Sequence, residues 1–318
     1  MGHNVDKWPH LVFQRAHQNA KQLIRQGHDP LHPICNRAHT KGIRVYPTLL
    51  LQQGRGERGQ DVRCSDFRFN NSHLEIGERG DLEAEFPGLR CLDFKHQVVR
   101  EERFALIEET LSCYPVDGFE LHLNYSPYYF HPNEVESGQQ IMTAWIRQVY
   151  NAVKKSGSDR ELSVRIPASI EGCLQVGLDV CAWMKQGIVD VVIGQTFSGP
   201  ELWDSTTDFS ALVEAAKGTD CRIHATLQSH VDSDRLGEST IEMIRAAACN
   251  YWAQGVDGLY QASFYEKLRE LPHPDIMTTK DKYYYVPTET GRYSKPMTEP
   301  GLAMKLPADL ELNDRSGT

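Results

Sequence analysis

The chain has 318 residues, 40% of them apolar and 24% charged, with a formal net charge of −9. These totals describe a globular protein long enough for one large α/β domain or for a barrel with a small appendage. The acidic balance argues against a nucleic-acid backbone as partner, and there is no run of about 18 apolar residues that would span a bilayer.

In chain order, the stretch from Met1 to Gln22 has no apolar centre of the kind a secretory signal needs, and Asp6 stands where myristoylation wants Ser or Thr. The compartment is left open, between a cytoplasmic protein and one whose start lies further upstream. Residues 10–26 and 31–41 read as helices, the second stopped at Lys41-Gly42. A strand over Ile43–Leu51 follows, then a long loop over 52–92 rich in Gly, Arg and Asp, and loops of that length are usually functional. Asp93 is the expected cap of a helix over 95–114 with Val99, Leu106, Ile107 and Leu111 facing inward.

The next strand, 118–124, alternates Phe119, Leu121 and Leu123 with Glu120, His122 and Asn124. It therefore presents an apolar face and a polar one. Burying such a polar row is costly without partners, so that row is the feature to explain. A helix over 137–156, a strand over Glu161–Pro167, a helix over 174–186 and a strand over Val189–Ile193 come next. Helix 208–217 then precedes strand Arg222–Leu227, and helix 238–253 precedes strand Gly258–Ala262.

Three of these helix-to-strand junctions repeat a Val-Asp pair: Val116-Asp117, Val189-Asp190 and Val256-Asp257. Recurring junctions of this kind are what stacked βα units produce, and strict alternation predicts a parallel sheet. No GxGxxG opens a helix after the first strand, so a dinucleotide fold is disfavoured. The expected architecture is a (β/α)8 TIM-type barrel showing six strands here, its first one or two absent from this chain or replaced. From Pro272 the composition turns to Pro, Thr, Tyr and Lys, with strands expected at Lys280–Pro287 and Leu306–Leu312. The barrel domain is accordingly drawn over 1–272. Residues 273–318 form a short β-rich tail, either a strap or the start of a β-sandwich domain. The eight cysteines show no CxxC pair, and Cys113, Cys181 and Cys249, in apolar helical stretches, are expected to be reduced and buried.

The run Cys91-Leu92-Asp93-Phe94-Lys95-His96-Gln97-Val98-Val99-Arg100, followed by Val116-Asp117-Gly118-Phe119-Glu120-Leu121, resembles a family of uncharacterised glycosyl-hydrolase-like TIM barrels. Asn71-Ser72-His73-Leu74, Val164-Arg165-Ile166-Pro167-Ala168, Gly177-Leu178-Asp179-Val180 and Gly255-Val256-Asp257-Gly258 extend the likeness over about 31–265. The resemblance implies a barrel with a carbohydrate-facing site at the C-terminal ends of its strands. Under it, Ile43–Leu51 is the third strand and 118–124 the fourth. His122 stands where such barrels often carry an Asp, which leaves one carboxyl where glycoside hydrolysis normally wants two.

Glu120 reads as a general acid or base with its pKa raised by burial, or else as a structural glutamate paired with Arg165. His122 is a second catalytic candidate, as proton relay or hydroxyl ligand, against a satisfied histidine of the barrel interior. Asn124, Tyr128, Tyr129, Arg165, Gln195, Trp203, His224, Gln228 and Gln261 are the candidate substrate-binding residues. The tyrosines, with Tyr125 and Phe130, would be stacking platforms and the amides polyol ligands. A second carboxyl is sought at Glu201, Asp204, Asp232 or Asp234. His122, His131, His224 and His230 lie near strand ends, but no HxH pair occurs, so no metal and no other cofactor is expected. The function expected is binding and hydrolysis of a small or polymeric saccharide, with Glu120 as acid/base. The alternative is a carbohydrate-binding pseudoenzyme. Oligomeric state is left open.

Overall fold

A computed structural model describes residues 11–52, 64–195, 202–203, 207–227, 230–231, 237–261 and 270–284. Six strands, β1 Thr48–Leu50, β2 Gly118–His122, β3 Glu161–Pro167, β4 Val191–Gln195, β5 Arg222–Leu227 and β6 Gly258–Gln261, form one sheet whose order follows the chain. The pairs β1/β2, β2/β3 and β5/β6 are parallel. Parallel neighbours need a crossover, and ten helices supply these and the flanking segments among the described residues. They are α1 Leu11–Arg25, α2 Leu31–His39, α3 Asp66–Asn70, α4 Gln97–Cys113, α5 Val135–Ser156, α6 Ile170–Gln175, α7 Val180–Lys185, α8 Ser210–Ala216, α9 Ile241–Ala253 and α10 Pro274–Thr278. No described helix is long and apolar enough to cross a membrane.

The chain divides into two compact units, one of Met1–Ile166, Cys173–Val192 and Thr219–Cys221, the other of Pro167–Gly172, Ile193–Gly218 and Arg222–Thr318. In the first, α5 buries Met142, Trp145, Ile146, Val149 and Val153 along one stripe, each such side chain contributing about 1.5–3 kcal/mol. The Trp145 indole, held by the Arg100 carbonyl at 3.2 Å, stands edge-on to Phe94. In the second, α9 buries Ile244, Ala246, Ala247, Ala248 and Tyr251, and Tyr251 meets Phe209 edge-on. There the segment around α10 is tied to α9 by Glu270, which takes Arg245 Nε at 2.5 Å and Lys280 Nζ at 2.6 Å.

The repeated Val-Asp junction has one geometry at all three sites. Asp117 Oδ2 accepts the Val45 N–H at 2.7 Å while the Asp117 N–H donates to the Val45 carbonyl at 2.9 Å. Asp190 does the same with Leu162 at 2.7 and 2.9 Å, and Asp257 with Ile223 at 2.8 and 2.7 Å. Each aspartate therefore staples its own strand to the start of the preceding one. His39 and Lys154 add partners to Asp117 and Asp190 at 2.9 and 2.8 Å. Gly118 follows the first staple because any Cβ there would lie 2.4 Å from the Glu161 carbonyl and against the Tyr46 ring.

Several expectations are corrected. The strand expected over Ile43–Leu51 shrinks to Thr48–Leu50, since Val45 is bonded to a side chain and Pro47 has no N–H to give a ladder. The second strand ends at His122 rather than 124, and the helix expected over 174–186 splits into α6 and α7 around Gly177, whose φ of +83° no helix accommodates. Helix α4 is preceded by His96 with no side-chain cap, because Asp93 Oδ1 instead accepts from the Lys95 N–H at 2.9 Å. Its inner stripe is Val99, Arg103, Ile107 and Leu111, with Leu106 turned out. The loop over 52–92 contains α3, two single turns and a bridge from Glu75 to Leu92. Residues 281–284 form no strand, and the remainder of that expected strand, with Leu306–Leu312, lies outside the described residues. All eight thiols are free, but the buried ones are Cys35, Cys64, Cys91, Cys173 and Cys221, while Cys113 is exposed and Cys181 and Cys249 are half-buried.

Candidate functional site

The polar row of β2 is brought together with the inward side chains of β3. The parallel register sets Glu120 beside Ser163 and His122 beside Arg165, and period-two alternation puts all four on one face. Glu120 and Arg165 are buried, with 4% and 9% of their surface accessible. Arg165 Nε donates to Glu120 Oε1 at 2.9 Å, and Arg165 Nη2 contacts the same oxygen. The two side chains thus form a buried ion pair.

His122 is buried beside that pair. Its Nδ1 accepts the Asn124 N–H at 3.3 Å, which leaves the ring proton on Nε2. Burial pushes the imidazole pKa down from 6.5 to about 3, and the Arg165 charge pushes in the same direction. At neutral pH the ring is thus an uncharged donor at Nε2. Asn124 is fully buried just past the strand end, where Leu123 N–H still bonds the Arg165 carbonyl at 2.8 Å.

The aromatic side chains of the loop after β2 are largely buried. Tyr128 packs edge-on to Phe86 in a cluster with Ile76 and Cys91. Tyr129 is 1% exposed, donates its hydroxyl to the Leu123 carbonyl at 2.7 Å and meets Phe94 edge-on. Phe130 fills the space left by Gly138 and Gly177. Tyr128 and Tyr129 thus expose little of their rings to solvent. Tyr125 is the half-buried member of the loop and stands 6.2 Å from the His122 ring, edge-on.

Sequence reasoning missed Gln52, buried at the C-terminal end of β1. Its Nε2 donates to the carbonyls of Leu92 and Tyr128 at 2.7 and 2.6 Å, and its Oε1 accepts from the Leu92 N–H at 3.2 Å. One amide therefore fixes both loops that follow the row. The signal was an amide directly after Leu49-Leu50-Leu51, which reads as a loop residue when taken alone. The same loops are joined by Lys95, which bridges Asp93 and Glu134 at 3.0 and 3.2 Å, and by His131 with Asp81 at 3.1 Å.

In the second unit, His224, Thr226 and Tyr260 share one face of β5 and β6, and the ring of His224 lies against Gly258. Gln261 takes the register position beside Leu227, on the face that also carries Ala225 and Leu259. Thr226, absent from the sequence candidates, is 3% exposed, and its Oγ1 has no hydrogen-bond partner among the described residues. Gln195 closes β4 and is buried. The side chain of Trp203 and the whole of Gln228, Glu201, Asp204, Asp232 and Asp234 lie outside the described residues. Among the described residues no group of three or more His, Cys, Asp or Glu side chains could hold a metal ion.

No family model matches the chain, and no curated protein matches it in sequence. Solved structures do match. The glycoside hydrolase domain of PgaB (BpsB) from Bordetella bronchiseptica is 14% identical, with a TM-score of 0.50 over 80% of this chain and 81% of that one. The endo-1,4-beta-mannanase from Rhizomucor miehei is 12% identical, with a TM-score of 0.47 over 78% and 75% of the two chains. With its six described strands in chain order, this chain has an α/β fold of the TIM-barrel type, similar to that of the PgaB domain.

Proposed function

We propose that the chain binds a saccharide at the C-terminal ends of β2 and β3. The observation that carries this reading is the buried polar row itself: Glu120 paired with Arg165, next to a neutral His122 whose Nε2–H is a donor. Barrels of this type build their sites at that end of the strands, and uncharged donors beside a carboxylate oxygen suit sugar hydroxyls. Tyr125, rather than Tyr128 or Tyr129, is the loop aromatic available to a pyranose face.

Catalysis on this reading draws on Glu120 as an anion, hence as a general base, since Arg165 already holds its Oε1. On this reading His122 offers its Nε2–H to a substrate hydroxyl. The binding-only alternative draws support from the same pair, because a carboxylate committed to a guanidinium is poorly placed to act as the acid that glycoside cleavage requires.

A glycan array probed with the full chain, followed by titration of the strongest sugar against Glu120→Gln, tests both branches. Binding by the wild type supports the site, and Glu120→Gln should keep affinity for a neutral sugar while losing any turnover. Turnover unchanged in Glu120→Gln would remove Glu120 from the mechanism, and a wild-type chain that retains no sugar would end the reading.

A further inference from the structure

Resting on that saccharide reading, we propose that the Glu120–Arg165 pair is a charge filter, selecting neutral sugars over uronic acids and amino sugars. Arg165 Nε and Nη2 go to one carboxylate oxygen of Glu120, and the two side chains are 10% and 5% exposed, so the two charges face each other with little solvent between them. The third member of the row adds no charge: the Nδ1 of His122 is occupied by the Asn124 N–H and its ring lies against Tyr125. Nearby acids and bases of the same unit are matched among themselves, Lys95 with Asp93 and Glu134, and Arg79 with Glu134.

A uronate entering this row meets one cation that is already committed. To bind Arg165 it must displace Glu120, which leaves a buried carboxylate without its partner, an expensive outcome. A glucosamine ammonium faces the mirror problem with Arg165. A neutral hydroxyl faces neither, since it accepts from His122 Nε2–H and donates to a carboxylate lone pair while the ion pair stays intact.

Calorimetric titration of the full chain with three length-matched tetrasaccharides, of a neutral hexose, of galacturonic acid and of glucosamine, tests the filter. The neutral probe should bind at least about tenfold more tightly than either charged one, the difference a charge-assisted hydrogen bond commonly makes. Glu120→Gln leaves Arg165 without its counter-ion and should shift the galacturonate-to-neutral ratio at least about tenfold toward galacturonate. Arg165→Met leaves Glu120 without its counter-ion and should shift the glucosamine-to-neutral ratio toward glucosamine, and it serves with the wild-type ranking should Glu120→Gln not fold. A wild type that binds a charged probe as tightly as the neutral one, or variants with an unchanged ranking, overturn the filter and leave the saccharide site standing. Failure to bind any of the three together with an empty glycan array overturns both.

Discussion

Replacing Asp190 by alanine isolates the staple that recurs at the helix-to-strand junctions. Its Oδ2 accepts the Leu162 N–H at 2.7 Å, and Leu162 is fully buried, so the amide has no water to turn to. A hydrogen bond to a charged group contributes about 1.5–3 kcal/mol. The Lys154 pair at 2.8 Å, about a quarter exposed on each side, adds at most about 1 kcal/mol. Asp190→Ala should therefore lower the unfolding free energy by about 2–4 kcal/mol. Asp190→Asn, whose amide oxygen still accepts from Leu162, should lose only about 1–2 kcal/mol, and Lys154→Met less than about 1 kcal/mol. Urea unfolding followed by far-ultraviolet circular dichroism reads these as midpoint shifts at constant slope. A loss under about 0.5 kcal/mol for Asp190→Ala, or an Asn variant as damaged as the Ala variant, would refute the staple as a stabilising device.

Two further outcomes follow from the site. In the fold His122 stays neutral down to about pH 3, whereas in the unfolded chain it takes up a proton below its ordinary 6.5. The folded state then binds fewer protons across that window, so the contribution of this group is complete above 6.5. It falls as the pH drops, by up to about 1.4 kcal/mol per pH unit. Unfolding measured between pH 7 and 5, above the range where the paired Asp117 titrates, should show this slope in the wild type and a flatter one in His122→Gln; identical slopes would contradict the burial argument. Gln52→Leu keeps the volume but leaves the Leu92 N–H, the Leu92 carbonyl and the Tyr128 carbonyl without their partner. It should cost about 2–4 kcal/mol and speed hydrogen exchange around Leu92 and Tyr128, and unchanged exchange there would show that the amide does not hold the two loops.

By itself the sequence determined what local periodicity encodes. The alternation of Phe119, Leu121 and Leu123 with Glu120, His122 and Asn124 fixed a two-faced strand, and the spacing of helix and strand signals gave a parallel α/β sheet in chain order. The repeated Val-Asp pairs marked the junctions correctly, because an acid there serves the strand start wherever it recurs.

Only the tertiary structure decided which partners those residues meet. Arg165 lies 45 positions from Glu120, and nothing local says that the two side chains meet; the strand register brings them together. Tyr128 and Tyr129 look like ligand platforms in a loop, yet they pack against Phe86 and Phe94 and are buried, while Tyr125 is half-buried. Gln52 and the buried Arg103 were illegible for the same reason: a polar side chain is expected to face water until distant backbone groups, such as the Leu51 carbonyl 3.1 Å from Arg103 Nε, give it a reason to be buried.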